Sequence, residues 1–168
     1  MAIGSSAMCG TFKREILAGI HRLTAHTRAS STISADTFKV AMFTNSASID
    51  ADTTGYTTSN EVSGTNYSAG GATVSSVTIG LADNSSAVPT AFVDFADTTF
   101  SSSTISSARG ALIYNSTLSS AGTGSTTNHA ADPAVAVINF GGDKSSSAGD
   151  FTIQYPANDA NNAIIRIS

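Results

Sequence analysis

Two periods divide the chain. In TFKREILAGIHRL (Thr11–Leu23) the apolar residues Phe12, Ile16, Ile20 and Leu23 recur at i, i+4 and i+7/i+8, with Leu17 beside them. That is the spacing of an amphipathic helix. Thr11 is placed to cap it, and Glu15 to sit in the first turn near the positive end of the helix dipole. Gly19 weakens it by about 1 kcal/mol relative to Ala. A helix this short persists only when its apolar face is covered. That cover is either its own domain or a neighbour. Residues 24–36, TAHTRASSTISAD, have no period and many hydroxyls, and read as a linker.

From Thr37 the period becomes two. In TFKVAMFT, Phe38, Val40 and Met42 alternate with Lys39, Ala41 and Phe43. The same signal predicts strands at Ala72–Leu81, Ala91–Phe95, Arg109–Tyr114, Ala134–Phe140, Asp150–Tyr155 and Ala163–Ile167. Val74 and the trio Val77, Ile79, Leu81 fall on opposite parities, which predicts a bulge or a break at Ser75–Ser76 with all four residues entering the core. In NEVSGTNYSAGGATV, Gly64, Gly70 and Gly71 read as turn positions with positive φ. The connections are rich in Gly, Asn, Asp, Ser and Pro, and no repeat of fixed period occurs. The pattern predicts a mainly β protein. Its body is an antiparallel β-sandwich or jelly-roll-like body of seven to eight strands with an N-terminal α-helix. The chain divides into a helical arm and linker at 1–36 and the body at 37–168. The loop Asn115–Pro133 projects from one end of that body, where contacts are often carried.

Composition adds a constraint on partners. The chain has 168 residues, enough for one domain with a real core. Only 12% are charged, about half the usual share. Hydroxyls and amides cover the surface instead, which suits a β-rich protein that meets other protein over much of it. The charges are also segregated. Residues 1–39 carry five Lys and Arg against two acids, and the remainder carries three against ten. From Val40 to Ala108 there is no Lys or Arg. Such a body repels nucleic acid, whose binding depends on phosphate neutralisation. No apolar run approaches the roughly 18 residues that cross a bilayer. The first ten residues lack the charged and apolar regions of a signal peptide. The sequons at Asn66, Asn84 and Asn115 are then accidents of a Ser/Asn-rich chain. Cys9, the single cysteine, permits no intramolecular disulfide.

No motif with a mechanism is present: there is no G-x-S-x-G, no H-E-x-x-H and no G-x-x-x-x-G-K-[ST]. AGTGSTTNH (Ala121–His129) lacks the lysine of a phosphate loop. His21 and His26 are spaced poorly for a shared metal, and His129 near Asp132 is no more than a chance pair in a serine-rich chain. The chain therefore reads as a non-enzyme without cofactors. DADTTGYTTSNE comes closest to a site. Asp50, Asp52, Gly55 and Glu61 fall in the register of a twelve-residue calcium loop, with Thr54 in place of the third acid. The flanks are not helices, so a solvated loop is the preferred reading.

TFKVAMFTNSA, then NEVSGTNYSAGGATV, then DFADTTFSSSTISSARGALIYNS, then VINFGGDKSSSAGDFTIQYPA form an ordered series. This series resembles a family of small virion proteins of tailed bacteriophages and prophages. The resemblance spans about Thr37 to Ile167, and the N-terminal helix and linker are longer and more basic than the family pattern. It implies a structural protein of the capsid cement or decoration type, located on the capsid surface. The implied partners are the major capsid protein and further copies of the chain, as a homotrimer. Within it, the face of Phe12, Ile16, Ile20 and Leu23 with Arg14 and Arg22 is the candidate partner-binding surface. A neck or tail component, or a host-surface carbohydrate-binding module, are the alternatives. The absence of Trp weighs against the last.

Overall fold

The computed structural model describes residues 3–82, 89–123 and 128–168. It is mainly β and antiparallel, with one short helix near the N-terminus. In chain order the elements are β1 (Ala7–Met8), α1 (Gly10–Leu17), β2 (His26–Arg28), β3 (Ser31–Ile33), β4 (Phe38–Phe43) and β5 (Gly64–Thr65). There follow β6 (Ala72–Thr73), β7 (Ser75–Ala82), β8 (Thr90–Ala96), β9 (Thr98–Asn115), β10 (Ala134–Ile153) and β11 (Ile165–Ile167). The main sheet has the order β1-β10-β9-β4-β6, with β5 also on β9. A second sheet has the order β11-β8-β7, and β2 and β3 form a hairpin of their own.

The core lies where these sheets meet. Phe38, Val40 and Met42 of β4, Ile105, Leu112 and Ile113 of β9, and Val93, Phe95 and Ile165 of the second sheet are all buried. The rings of Phe38 and Phe95 approach to 6.3 Å across the two layers. Strand β4 is buried on both faces, so its alternating signal concealed a central strand. Each such side chain contributes about 1.5–3 kcal/mol by leaving water.

The helix is shorter than its apolar period. It ends at Leu17, because Gly19 takes a left-handed φ of 68°. Gly19 N–H donates to Ile16 O and Ile20 N–H to Glu15 O, at 2.9 Å each, a Schellman stop. Gly19 is thus a terminator, and Ile20 and Leu23 lie beyond the helix. Thr11 is not the cap either. Cys9 holds that position without a side-chain bond, and Gly10 N–H donates to Ala51 O at 2.8 Å. No acidic residue lies in the first turn; Glu15 is in the second, fully buried.

The arm-and-body division at residue 36 meets a different arrangement. Ala7 and Met8 pair with Val137 and Ala136. Gly4 N–H donates to Ile49 O and Cys9 N–H to Val135 O, both at 2.9 Å. Ile3, Cys9 and Phe12 belong to the core. Residues 24–36 are not a plain linker, since they include the hairpin β2–β3. It has no apolar alternation because nearly all of it is exposed.

Strand lengths also differ from the sequence reading. Arg109–Tyr114 is the end of an 18-residue strand, and Ala134–Phe140 merges with most of Asp150–Tyr155 into one of 20. Their serine-rich stretches carry almost no apolar signal. Register shifts interrupt the ribbon, with positive φ at Ser102, Ser107, Gly141 and Ala148. Of the bulge or break expected at Ser75–Ser76, the structure shows a bulge: Ser76 has φ 53°, and the register shifts between Ser75 and Thr78. Val74 is buried, but Ile79 and Leu81 are 53% and 67% exposed and Val77 is half-buried. Strand β7 overhangs the core instead of entering it.

Candidate functional site

The motif around Glu61 folds onto its own carboxylate. Tyr56 Oη donates to Glu61 Oε2 at 2.6 Å, and Tyr67 Oη to Oε1 at 2.7 Å. Gly70 N–H donates to the same Oε1 at 2.8 Å. Tyr67 Oη also accepts from Met42 N–H at 2.9 Å, and Tyr114 Oη donates to Gly70 O at 2.8 Å. The rings of Tyr56 and Tyr114 stack at 4.5 Å. Burial, then the bond to Glu61, raises the Tyr56 and Tyr67 phenols above their ordinary value. Burial pushes Tyr114 up to about 12. These phenols are donors, not acids.

Glycine is required beside this hub. Gly71 has φ 68°, and a Cβ there would lie 1.9 Å from Val40 O. Gly70 also has positive φ; Gly64 does not, and is bare because Thr104 O comes within 1.9 Å of where its Cβ would be. The calcium register finds no support in this geometry. Glu61 spends both oxygens on the tyrosines and Gly70. Asp50 Oδ1 accepts from Asp52 N–H at 2.9 Å, a local turn. Among the described residues no group of three or more His, Cys, Asp and Glu side chains comes together.

A second polar cluster ties the N-terminal segment to the sheet. The side chains of Glu15 and His21 are fully buried, with His21 Nε2 2.8 Å from Glu15 Oε2. Asn115 Nδ2 lies 3.0 Å from His21 Nδ1 and donates to Asp36 Oδ2 at 2.7 Å. Asp36 Oδ2 accepts from Arg22 N–H at 2.9 Å. One Asn115 N–H meets Asp36, so the other points at His21 Nδ1. Nδ1 is therefore the acceptor, and Nε2–H donates to Glu15. This is a neutral imidazole. Burial holds its pKa below the ordinary value, partly offset by Glu15. Phe12 packs on the ring at 4.7 Å. The arrangement ties the helix end and the Arg22–Asp36 segment to β9, so it acts as a fastener. His26 is out on the hairpin, exposed. Asn115 is buried and cannot accept a glycan, Asn66 is exposed, and Asn84 lies outside the described residues.

The expected partner face is split by this fold. Phe12 is enclosed in this chain's own core, and Ile16 and Leu23 pack against it. Ile20 is half-buried and Arg22 exposed. What the helix does present is Leu17, 90% exposed, with Lys13 and Arg14 exposed on the preceding turn. Arg14 Nη2 donates to Asn128 O at 2.6 Å, which fixes the guanidinium beside the loop after β9. Part of that loop, residues 124–127, including much of AGTGSTTNH, lies outside the described residues.

A cleft of about 800 Å³ opens between the β1–β10 edge and the C-terminal segment. Met8, Ile138, Gln154, Tyr155, Ile164 and Arg166 are among its walls. Among the described residues its lining includes no Asp, Glu or His side chain. Burial pushes the Cys9 thiol up to about 12, with Asp50 and Glu15 adding to the effect. A thiol so held is not a nucleophile. No helix among the described residues is long and apolar enough to cross a membrane. No protein-family model matches this chain, and neither a curated protein nor a solved structure matches it.

Proposed function

We infer that this chain is a structural protein of a bacteriophage virion, a capsid cement protein that binds the major capsid protein lattice as a homotrimer. The observation that carries this reading is the ordered series of motifs from Thr37 to Ile167. In the fold these residues are framework: Glu61, Tyr67, Gly70 and Gly71 close one hub, and Gly110–Tyr114 pairs with β4. A shared framework supports a shared role, and that role involves no catalysis.

The mechanism is linkage. A protein that binds the assembled shell and not its free subunits stabilises the shell by mass action. Many equivalent sites on a lattice multiply weak contacts. The exposed Leu17 with Lys13 and Arg14 is the best candidate for the shell contact, an apolar anchor with cations beside it. Quantitative gel analysis of purified particles tests the role. Cement gives copies in proportion to the major capsid protein; a neck or tail station gives few copies per particle. Leu17→Glu is expected to reduce attachment to stripped shells while leaving the melting temperature unchanged. Undiminished occupancy would remove the helix from the contact.

A further inference from the structure

Among the described residues the hairpin β2–β3 is a sheet of two strands with no third. His26, Thr27, Ser31 and Thr32 are exposed, as are Ala29 and Ser30 at its tip. Isolated hairpins are marginal in water. This one also has a strained turn. Ala29 and Ser30 have φ of 48° and 67°, a left-handed pair that ordinarily takes Asn-Gly. Its root, however, is fixed. Arg22 N–H donates to Asp36 Oδ2 and Asp36 N–H to Arg22 O, at 2.9 and 2.8 Å, and Asn115 holds the same carboxylate. The fold therefore positions a blade that buries almost nothing of its own. From Ile16 to Ala35 there is no acidic residue, and Arg22, His26 and Arg28 fall in that stretch.

The second sheet offers the complement. Among the described residues β7 pairs only with β8, so one row of its backbone N–H and C=O groups is free. Natural edge strands are guarded by Lys, Pro, charge or a bulge; Ser75–Ala82 has no charge and no Pro, and past its bulge at Ser76 the register runs regularly from Thr78 to Ala82. Register sets Leu81, Ala91 and Ile167 in one row, and Ile79, Val93 and Ile165 in the next. Val93 and Ile165 are buried, whereas Ile79, Leu81 and Ile167 are left exposed on that same face. One strand in from the edge, Asp94 stands opposite Thr78. It is 5% exposed, and its Oδ1 has no hydrogen-bond partner among the described residues. A buried carboxylate oxygen in that state calls for a donor. Exposed Asp97 lies nearby in the chain, within the cation-free stretch from Val40 to Ala108.

We propose that the β2–β3 hairpin of one copy adds to the free β7 edge of a second copy, extending its second sheet by two strands. Backbone pairing supplies the contact. The acid-free hairpin meets the acidic body, and the exposed Ile79 and Leu81 of the β7 edge gain cross-strand neighbours. The contact is head-to-tail, so it closes into a ring or continues. This deepens the self-assembly part of the function proposed above by naming the joint.

Sedimentation velocity of the full chain over a wide range of concentration tests it, with two complementary variants. One replaces residues 24–34 by Gly-Gly; the other carries Ile79→Lys and Leu81→Lys. Each alone is expected to be monomeric, with a thermal transition close to that of the parent. Mixed, they associate, because one brings the edge and the other the hairpin. Thr27→Pro serves as the hairpin variant if the replacement does not fold. A monomeric parent, a hairpin-less chain that still self-associates, or a mixture that stays monomeric each overturns the proposal. Assembly through this joint without any attachment to shells would refute the capsid role alone.

Discussion

Glu61 holds together a stretch of chain with little regular structure of its own. Its oxygens receive Tyr56, Tyr67 and Gly70. Glu61→Ala leaves these donors without an acceptor, and a buried unsatisfied donor costs about 1–3 kcal/mol. A loss of about 3 kcal/mol is expected, read as a lower midpoint of urea unfolding with an unchanged slope. His21 makes a different prediction. Its unfolded imidazole takes up a proton near 6.5, and burial holds the folded value lower. As pH falls below 6.5 the unfolded state binds more protons, so stability is full above that point and declines until the folded value is passed. Glu15, Asn115, Phe12 and Phe38 surround the ring; the anions Glu15 and Asp36 work against the effect of burial, and burial outweighs them. Burial raises the carboxyls of Asp94 and Asp132, which favours the folded state in acid, but only nearer the carboxylate range. Melting temperatures are expected to fall from about pH 7 to about pH 5, and His21→Gln to flatten that fall at lower overall stability.

The helix shows what periodicity can and cannot reveal. Phe12, Ile16, Ile20 and Leu23 share a spacing, but only a backbone that stays helical turns spacing into a face. Gly19 takes the left-handed conformation and stops the helix before Ile20. An L-residue pays about 1–2 kcal/mol there, so Gly19→Ala is expected to lower the unfolding free energy by about that amount. An equal or higher stability would mean the helix runs on through residue 19. Other elements were legible to the extent that they carried apolar residues in a period. Strand β4 and the bulge at Ser76 were plain in the alternation of apolar residues. The β2–β3 hairpin was not, because it is exposed on both faces, and its turn uses Ala-Ser where Asn-Gly would announce it. The serine-rich half of the β9–β10 ribbon was silent for the same reason. Strand β7 misled in the opposite sense, since its apolar residues match a core strand and overhang one instead. Glu61 could be picked out as an acid in a motif, but its tyrosine partners depend on contacts that no local pattern encodes.

The N-terminal segment is a working part of the sandwich. Ile3, Cys9 and Phe12 sit in the core, and β1 covers the edge of β10 at Ala136 and Val137. Removing Phe12 alone costs about 3–5 kcal/mol by the usual measure of large core truncations, against a total stability of about 5–15 kcal/mol for an ordinary domain. Deletion of residues 1–28 takes the other buried residues as well. It also strips Glu15 and His21 from the cluster, leaving Asn115 with a free buried donor, and it uncovers a strand edge. The shortened chain is expected to lose its cooperative thermal transition and to aggregate. It is therefore a poor probe of shell attachment, whereas Leu17→Glu changes the surface without touching the core. A sharp transition within a few degrees of the full chain would show that residues 37–168 are self-sufficient and that the first strand and helix are an arm laid over a finished body.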